Sequence, residues 1–350
     1  MKPFAYVRAH SVDEATAAHA GRPGARYLAG GTNLVDLMKL GVETPDTLVD
    51  IGGLPLGDVQ ELPDGGLRVG ATVRSSDLAA HPLVRARYAA VSRALLAGAS
   101  GQLRNVATTG GNLLQRTRCP YFQDVTKPCN KRDPGSGCGA VDGVHRDHAV
   151  LGHSLHCIAT HPSDLAVALA ACDATVELRG PDAERTVPLA EFHRLPGDRP
   201  ERDTVIEPGE LITAVLLPAA TGGLPSAYRK ARDRASYAFA LASVAAVLDL
   251  DAAGTVRHVA IAFGGLAHRP WRARRAEAAL LGAEPTADAV RRALTEELDA
   301  AEPLRDNAYK IGLARSLGTA VVTGLAEPGG GPEGPAGTPP PGGSEDRTDP

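Results

Sequence analysis

The chain has 350 residues, of which 43% are hydrophobic and 22% charged, with a net charge of −4; this is a globular composition with room for two or three domains. The charge balance excludes a general nucleic-acid or membrane-surface binder, and no apolar run approaches the roughly 20 residues of a membrane helix. The opening Met1-Lys2-Pro3-Phe4-Ala5-Tyr6 has no apolar secretory core, so the expected location is the cytoplasm, or export in complex with a partner that carries the signal.

Residues 1 to about 60 read as a small α/β unit. Ala25-Arg26-Tyr27-Leu28-Ala29 predicts a short strand that runs into Gly30-Gly31-Thr32-Asn33. A helix from Leu34 to Leu40 follows, closed by Gly41, with Thr32 or Asn33 placed to cap it. Thr47–Ile51 predicts a second strand. From about 60 to 220 a second unit follows: a strand over Gly66–Val73, helical periodicity over Arg85–Ala97, a helix over Pro162–Ala171 started by Pro162 and Ser163, and a strand over Ala174–Leu178. Residues 116–157 interrupt that pattern with Pro, Gly, Arg and Asp and little periodicity. A loop of that length inside a compact domain implies a ligand that organises it. From about 224 to 325, Ser243–Asp249 and Val256–Phe263 predict a hairpin across Asp251-Ala252-Ala253-Gly254, with helices at Trp271–Leu281, Ala287–Ala300 and Arg305–Gly324. Glu327–Pro350 is dominated by Gly and Pro and is expected to be disordered.

Four of the five cysteines stand in the irregular segment, spaced Cys119-x9-Cys129-x8-Cys138-x18-Cys157. No Cys-x-x-Cys pair is present, so neither a zinc ribbon nor a bacterial ferredoxin is indicated. Four thiolates still meet the ligand count of a [4Fe–4S] cluster or a structural zinc. Zinc stays open because His145, His148, His153, His156 and His161 crowd the same stretch, although the plain expectation for each is a surface or hydrogen-bonding role. Unliganded structural thiols are a third reading. Pro120, Pro128 and Pro134 stiffen the loop, Gly135, Gly137 and Gly139 permit tight turns, and Arg116, Arg118, Lys127, Lys131 and Arg132 bring positive charge to an anionic thiolate site. Cys172, in an apolar helical stretch, reads as a small buried hydrophobe.

Gly30-Gly31-Thr32-Asn33 and Thr109-Gly110-Gly111-Asn112 are two strand-to-helix turns of small residues. Such turns let the backbone approach a diphosphate and aim free N–H groups at it. Neither is a Rossmann fingerprint or a P-loop, and one alone reads as well as an ordinary βα turn. As an ordered set, however, Leu28-Ala29-Gly30-Gly31-Thr32-Asn33-Leu34, Gly70-Ala71-Thr72 and Arg104-Asn105-Val106-Ala107-Thr108-Thr109-Gly110-Gly111-Asn112 resemble the FAD-binding subunits of molybdenum hydroxylases. That family includes xanthine dehydrogenases, carbon monoxide dehydrogenases and aldehyde oxidoreductases. Ser163-Asp164-Leu165, and Tyr228-Arg229-Lys230 ahead of Ser243-Val244-Ala245, fit the same pattern, and the resemblance covers about residues 1–325.

The resemblance implies an α+β fold. Its first part would be a two-subdomain FAD-binding domain of PCMH type, similar to vanillyl-alcohol oxidase, over 1–222, with subdomains of about 1–60 and 61–222 and the insertion at 116–157. A C-terminal α/β domain of the CO dehydrogenase flavoprotein type would span 223–325, with a tail over 326–350. It also implies FAD, with Ala29, Gly30, Gly31, Thr32, Asn33, Leu34, Thr109, Gly111 and Asn112 around the diphosphate. Asp164 would lie near the adenosine or ribityl part and Lys230 near the flavin. The insertion is similar to one carried by a subset like the bacterial periplasmic aldehyde oxidoreductases, through Cys119–Phe122, Pro128–Arg132, Pro134–Cys138 and His156–Thr160. In that subset it holds a [4Fe–4S] cluster, which implies Cys119, Cys129, Cys138 and Cys157 as ligands.

The function implied is electron transfer within a heterotrimer. A large subunit with a molybdenum cofactor would oxidise an aldehyde, a small [2Fe–2S] subunit would relay electrons, and FAD on this chain would pass them to an external acceptor. This chain has no recognisable molybdenum-binding or nicotinamide-binding motif and is not expected to hydroxylate a substrate alone. Alternatives are the FAD subunit of a xanthine dehydrogenase or other molybdenum hydroxylase, a free-standing FAD oxidase, and a zinc-stapled binding module. Whether the cluster conducts electrons or only organises the loop is open at this level.

Overall fold

A computed structural model describes residues 1–327; residues 328–350, which hold nearly all of the expected disordered tail, lie outside the described residues. Ala326, placed in the expected tail, is the last residue of the helix Tyr309–Ala326.

Three sheets organise the chain. The first is parallel, with strand order Ala5–Arg8, Thr47–Asp50, Ala25–Leu28. Parallel neighbours need crossovers, and the helices Val12–Ala20 and Leu34–Lys39 supply them. Ser11 caps the first of these through the Glu14 N–H. Asn33 occupies the cap position of the second but makes no capping bond there. Its Oδ1 accepts instead from the Arg116 N–H at 2.9 Å, so it ties the first turn to the cysteine segment.

The second sheet is antiparallel and five-stranded, in the order Val59–Glu61, Leu67–Gly70, Leu211–Leu217, Thr175–Arg179, Glu184–Pro188. Leu211–Leu217, unread in the sequence, is its central strand. The helix expected over Arg85–Ala97 is two helices, Pro82–Arg87 and Ala89–Ala97, broken at Tyr88. Tyr88 leaves the helical region to bury its ring and donate to the Pro218 carbonyl at 2.9 Å. The helix expected from Pro162 starts at Asp164, with Ser163 as its cap accepting from the Ala166 N–H at 2.9 Å.

The third sheet is antiparallel, in the order Trp271–Arg272, Val256–Gly264, Ala242–Leu250, Ser226–Ala231. The predicted hairpin is present, and helices Arg274–Leu280, Ala287–Leu298 and Tyr309–Ala326 pack in the same core. Trp271, expected to open a helix, instead lies in the edge strand, where its indole donates to Glu297 at 2.8 Å. The middle core includes Ala245, Val247, Ala260 and Ala262 of the third sheet, and the C-terminal core includes Val150 and Leu151 of the cysteine segment. Val150 and Leu151 thus pack the later part of the loop into the C-terminal core, and Phe122 packs its earlier part against Leu37. Among the described residues no helix is long and apolar enough to cross a membrane.

Candidate functional site

The two glycine turns come together. A Cβ on Gly30 would fall within the contact distance of the Val106 carbonyl oxygen, so only glycine lets these backbones meet. Gly31 has φ +68°, a left-handed conformation that glycine adopts without strain. In the second turn Thr108 caps the helix Thr109–Leu113 by accepting from the Gly111 N–H. Thr109 is buried with its hydroxyl donated to the Val73 carbonyl at 3.0 Å, which commits its side chain to the fold. Asn112 Oδ1 accepts from Ser163 at 2.6 Å and from Gln115 at 3.1 Å.

A cavity of about 640 Å³ opens on one side of these turns and carries Ala29, Gly30, Gly31, Thr32, Asn33, Leu34 and Gly111 on its wall. A second, of about 230 Å³, lies on the other side and is walled by Asn112, Asp164, Lys230, Tyr237 and Phe239. Thr32, Asn33, Gly111 and Gln115 line both. The turns thus form a waist between two chambers, and the combined space falls in the range of small-molecule and cofactor sites. Every residue predicted to touch a cofactor lies on this wall except Thr109.

Asp164 and Lys230, far apart in sequence, form one buried ion pair at 2.7 Å. Tyr228 donates to the other carboxylate oxygen at 2.5 Å. Burial, and then the charge of Asp164, hold the Tyr228 hydroxyl well above its ordinary range, so it remains a donor. The Lys230 ammonium is therefore a fixed cation in the wall of the smaller chamber, and the solvated surface lysine is excluded.

The smaller chamber adjoins a third cavity of about 220 Å³ across Arg118, Pro162, Asp164, Ala238 and Phe239. Cys119 and His148 line that third cavity. All four cysteines of the loop are free. Cys129 and Cys138 face each other across an isolated antiparallel bridge, and Cys119 packs with Cys129, Phe122 and Leu37. Burial pushes the Cys119 thiol up to about 11 against the Tyr121 and Phe122 N–H groups, with Cys129 and Cys138 adding to the rise. Burial likewise pushes Cys157 up to about 12, opposed by Lys131 and reinforced by Cys138 and Cys119. Cys119 thus feels Cys129 and Cys138, Cys157 feels Cys138 and Cys119, and a thiolate at either position needs a cationic centre to offset its desolvation.

Among the described residues no three His, Cys, Asp or Glu side chains converge tightly enough for a single metal ion. The loop histidines have other engagements. His145 bonds the Val141 carbonyl at 3.0 Å, His153 the Glu302 carbonyl at 2.8 Å, and His148 faces Cys119 Sγ at 3.2 Å. His161 lies against His193 with ring centres 4.1 Å apart and the rings tilted by 47°, and His156 is exposed.

Of the five cations expected to serve the thiolates, three are held by other partners, although Lys131 also acts on Cys157. Lys131 is buried, donates to the Pro200 carbonyl at 2.7 Å and pairs with Asp203. Arg116 bridges Asp203 at 2.9 Å and Glu43 at 2.5 Å, and Arg132 donates to the Phe122 carbonyl at 2.7 Å. Arg116 and Lys131 latch the loop to the remainder of the chain, and Arg132 ties the loop to itself. Asp203, Glu43 and Phe239 had no signal in the sequence, because each acts through a partner distant along the chain; Tyr228 stood in a motif, but its bond to Asp164 was not read there.

A chain with paired glycine turns at the waist of a two-chambered cleft, an ion pair in one chamber and a thiol-rich loop beside it has the features of a dinucleotide-binding redox protein. It matches the FAD binding domain in molybdopterin dehydrogenase over residues 2–220 and the CO dehydrogenase flavoprotein C-terminal domain over 226–323. The protein belongs to the family of FAD-binding subunits of molybdenum hydroxylases and is an oxidoreductase subunit. It is 52% identical to the aldehyde oxidoreductase FAD-binding subunit PaoB of Escherichia coli strain K12, over 93% of this chain and all of that one. The glyceraldehyde dehydrogenase medium chain of Sulfolobus acidocaldarius is 27% identical over 82% of this chain and 84% of its own. The structure of carbon monoxide dehydrogenase from Hydrogenophaga pseudoflava, 28% identical, superimposes with a TM-score of 0.72 over 92% of this chain and 97% of that one.

Proposed function

We propose that this chain is the FAD- and [4Fe–4S]-binding electron-transfer subunit of a molybdenum-containing aldehyde oxidoreductase. The observation that carries the reading is the continuous series of three cavities: the larger chamber, the waist of glycine turns, the smaller chamber, and the cavity lined by Cys119. An extended dinucleotide fits the first two, with its diphosphate at Gly30, Gly31, Thr32, Asn33, Gly111 and Asn112. Thr109 supports that turn through its fold bond to Val73. Lys230, held by Asp164, presents a fixed positive charge to the flavin end, and Phe239 and Tyr237 provide an apolar wall there. Cys119, Cys129, Cys138 and Cys157 supply the soft donor set of a [4Fe–4S] cluster.

Bound FAD and cluster supply one-electron chemistry that a flavin couples to one- or two-electron acceptors. The large molybdenum subunit, the small [2Fe–2S] subunit and the external acceptor complete the system, and the aldehyde substrate is read from the 52% identical relative. The complex works in the cytoplasm, or is exported with a signal-bearing partner. Copurification with the native partners, followed by flavin, iron, sulfide and zinc analysis, tests the assignment. FAD with iron and sulfide is the expected result. A colourless chain that contains zinc without flavin or iron would overturn it.

A further inference from the structure

The four sulfurs of the loop are not equivalent. Cys119 is the one cysteine that lines the cavity adjoining the flavin chamber. Its sulfur also has His148 Nε2 at 3.2 Å.

The placement of His148 is built from outside the loop. Its carbonyl accepts from Lys310 Nζ at 3.0 Å and from Asn307 Nδ2 at 3.4 Å. Lys310, fully buried, also donates to the carbonyls of Asp147 at 2.9 Å and Gly265 at 2.8 Å. Asn307 donates to the Ala149 carbonyl at 3.1 Å, and the N–H groups of Val150 and Leu151 donate to the Leu266 carbonyl at 2.9 and 3.0 Å. The C-terminal unit therefore fixes residues 147–151 and aims the imidazole at the sulfur. His148 Nδ1 is buried without a protein partner. A neutral imidazole carries one N–H, and the sulfur is the acceptor in front of Nε2. Once Cys119 ligates as a thiolate, its sulfur carries no proton and can only accept, which places the imidazole proton on Nε2.

We propose that His148 is a positioning residue for the iron–sulfur centre: its Nε2–H donates to Cys119 Sγ, draws charge from that ligand and raises the reduction potential of the centre. Hydrogen bonds to cluster sulfurs and burial are levers that set such potentials. The inference rests on the reading of the four cysteines as cluster ligands.

The test is an EPR-monitored redox titration of the purified complex carrying His148→Phe, His148→Asn or His148→Gln, with iron, sulfide and flavin measured on each. Phe lacks the donor and Asn is too short to reach the sulfur. Both are expected to keep FAD and to shift the midpoint negative by about tenfold in the reduced-to-oxidised ratio, the size of one charge-assisted hydrogen bond, or about 59 mV for a one-electron couple. Gln carries an N–H to a position close to that of Nε2 and is expected to restore most of the shift, which a packing role would not do. An unchanged midpoint in the iron-loaded Phe or Asn complex, or equal shifts in all three variants, would overturn the inference. Absence of a [4Fe–4S] signal in the wild-type complex would instead overturn the cluster assignment beneath it.

Discussion

Lys230 has its ammonium 2.7 Å from the Asp164 carboxylate, and both side chains are more than nine-tenths buried. Removing one member of a buried pair leaves the other charge uncompensated, which costs about 3–5 kcal/mol. Lys230→Met is therefore expected to lower the melting temperature and to reduce the flavin retained per chain, both read on the same purified sample. Gly30→Ala acts differently, because its methyl group would collide with the Val106 carbonyl and part the two turns. It is expected to weaken FAD binding by about tenfold or more, equivalent to roughly 1.4 kcal/mol, as measured by flavin titration of the apoprotein. Gly30 and Gly31 were legible in the sequence because glycine pairs at a strand-to-helix turn carry a backbone requirement of their own. Tyr228 and His148 were also noted in the sequence, but their roles were not legible there, because a tyrosine in a strand and a histidine in a loop acquire them only from Asp164 and Cys119, many residues away.

At the scale of elements, periodicity gave the hairpin of the third sheet and the helices Ala287–Leu298 and Asp164–Ala171. It failed where a long-range partner decides the local structure. Tyr88 breaks a helical pattern to reach Pro218, and Trp271 enters an edge strand beside Phe263. The cysteine loop is the extreme case, since its order comes from latches that no local pattern announces. The main latch is Lys131–Asp203–Arg116–Glu43. Burial pushes the Asp203 carboxyl upward, but Lys131 and Arg116 outweigh it and hold the carboxyl well below the ordinary carboxylate range. A depressed folded-state value adds stability above the unfolded value, and that stability is lost as pH falls through the folded one. Asp203→Asn is expected to cost about 3 kcal/mol at neutral pH, because it leaves Lys131 buried without its anion. Thermal melts against pH check the sign: the gap between wild type and variant narrows on acidification below the ordinary carboxylate range. A gap that widens there would contradict the latch.

Across the whole molecule, the fold places three things in line: a cleft that suits a dinucleotide, a buried cation at one end of it, and a thiol-rich loop beyond that end. The loop departs from the flavin-binding part after Asn112, packs Val150 and Leu151 into the C-terminal core, and returns at Asp164, where Ser163 bonds back to Asn112. Entry and exit of the loop thus meet at the Thr109–Asn112 turn on the wall of the cleft, which explains how an insertion can be added without disturbing it. The central claim is that this one chain carries both a flavin and a four-iron cluster. Iron, sulfide and FAD measured per complex in wild type and in Cys129→Ser test it most directly. The account predicts that the variant loses about four iron and four sulfide, the content of one [4Fe–4S] centre, while FAD stays at the wild-type level. Iron and sulfide unchanged by the substitution would contradict it.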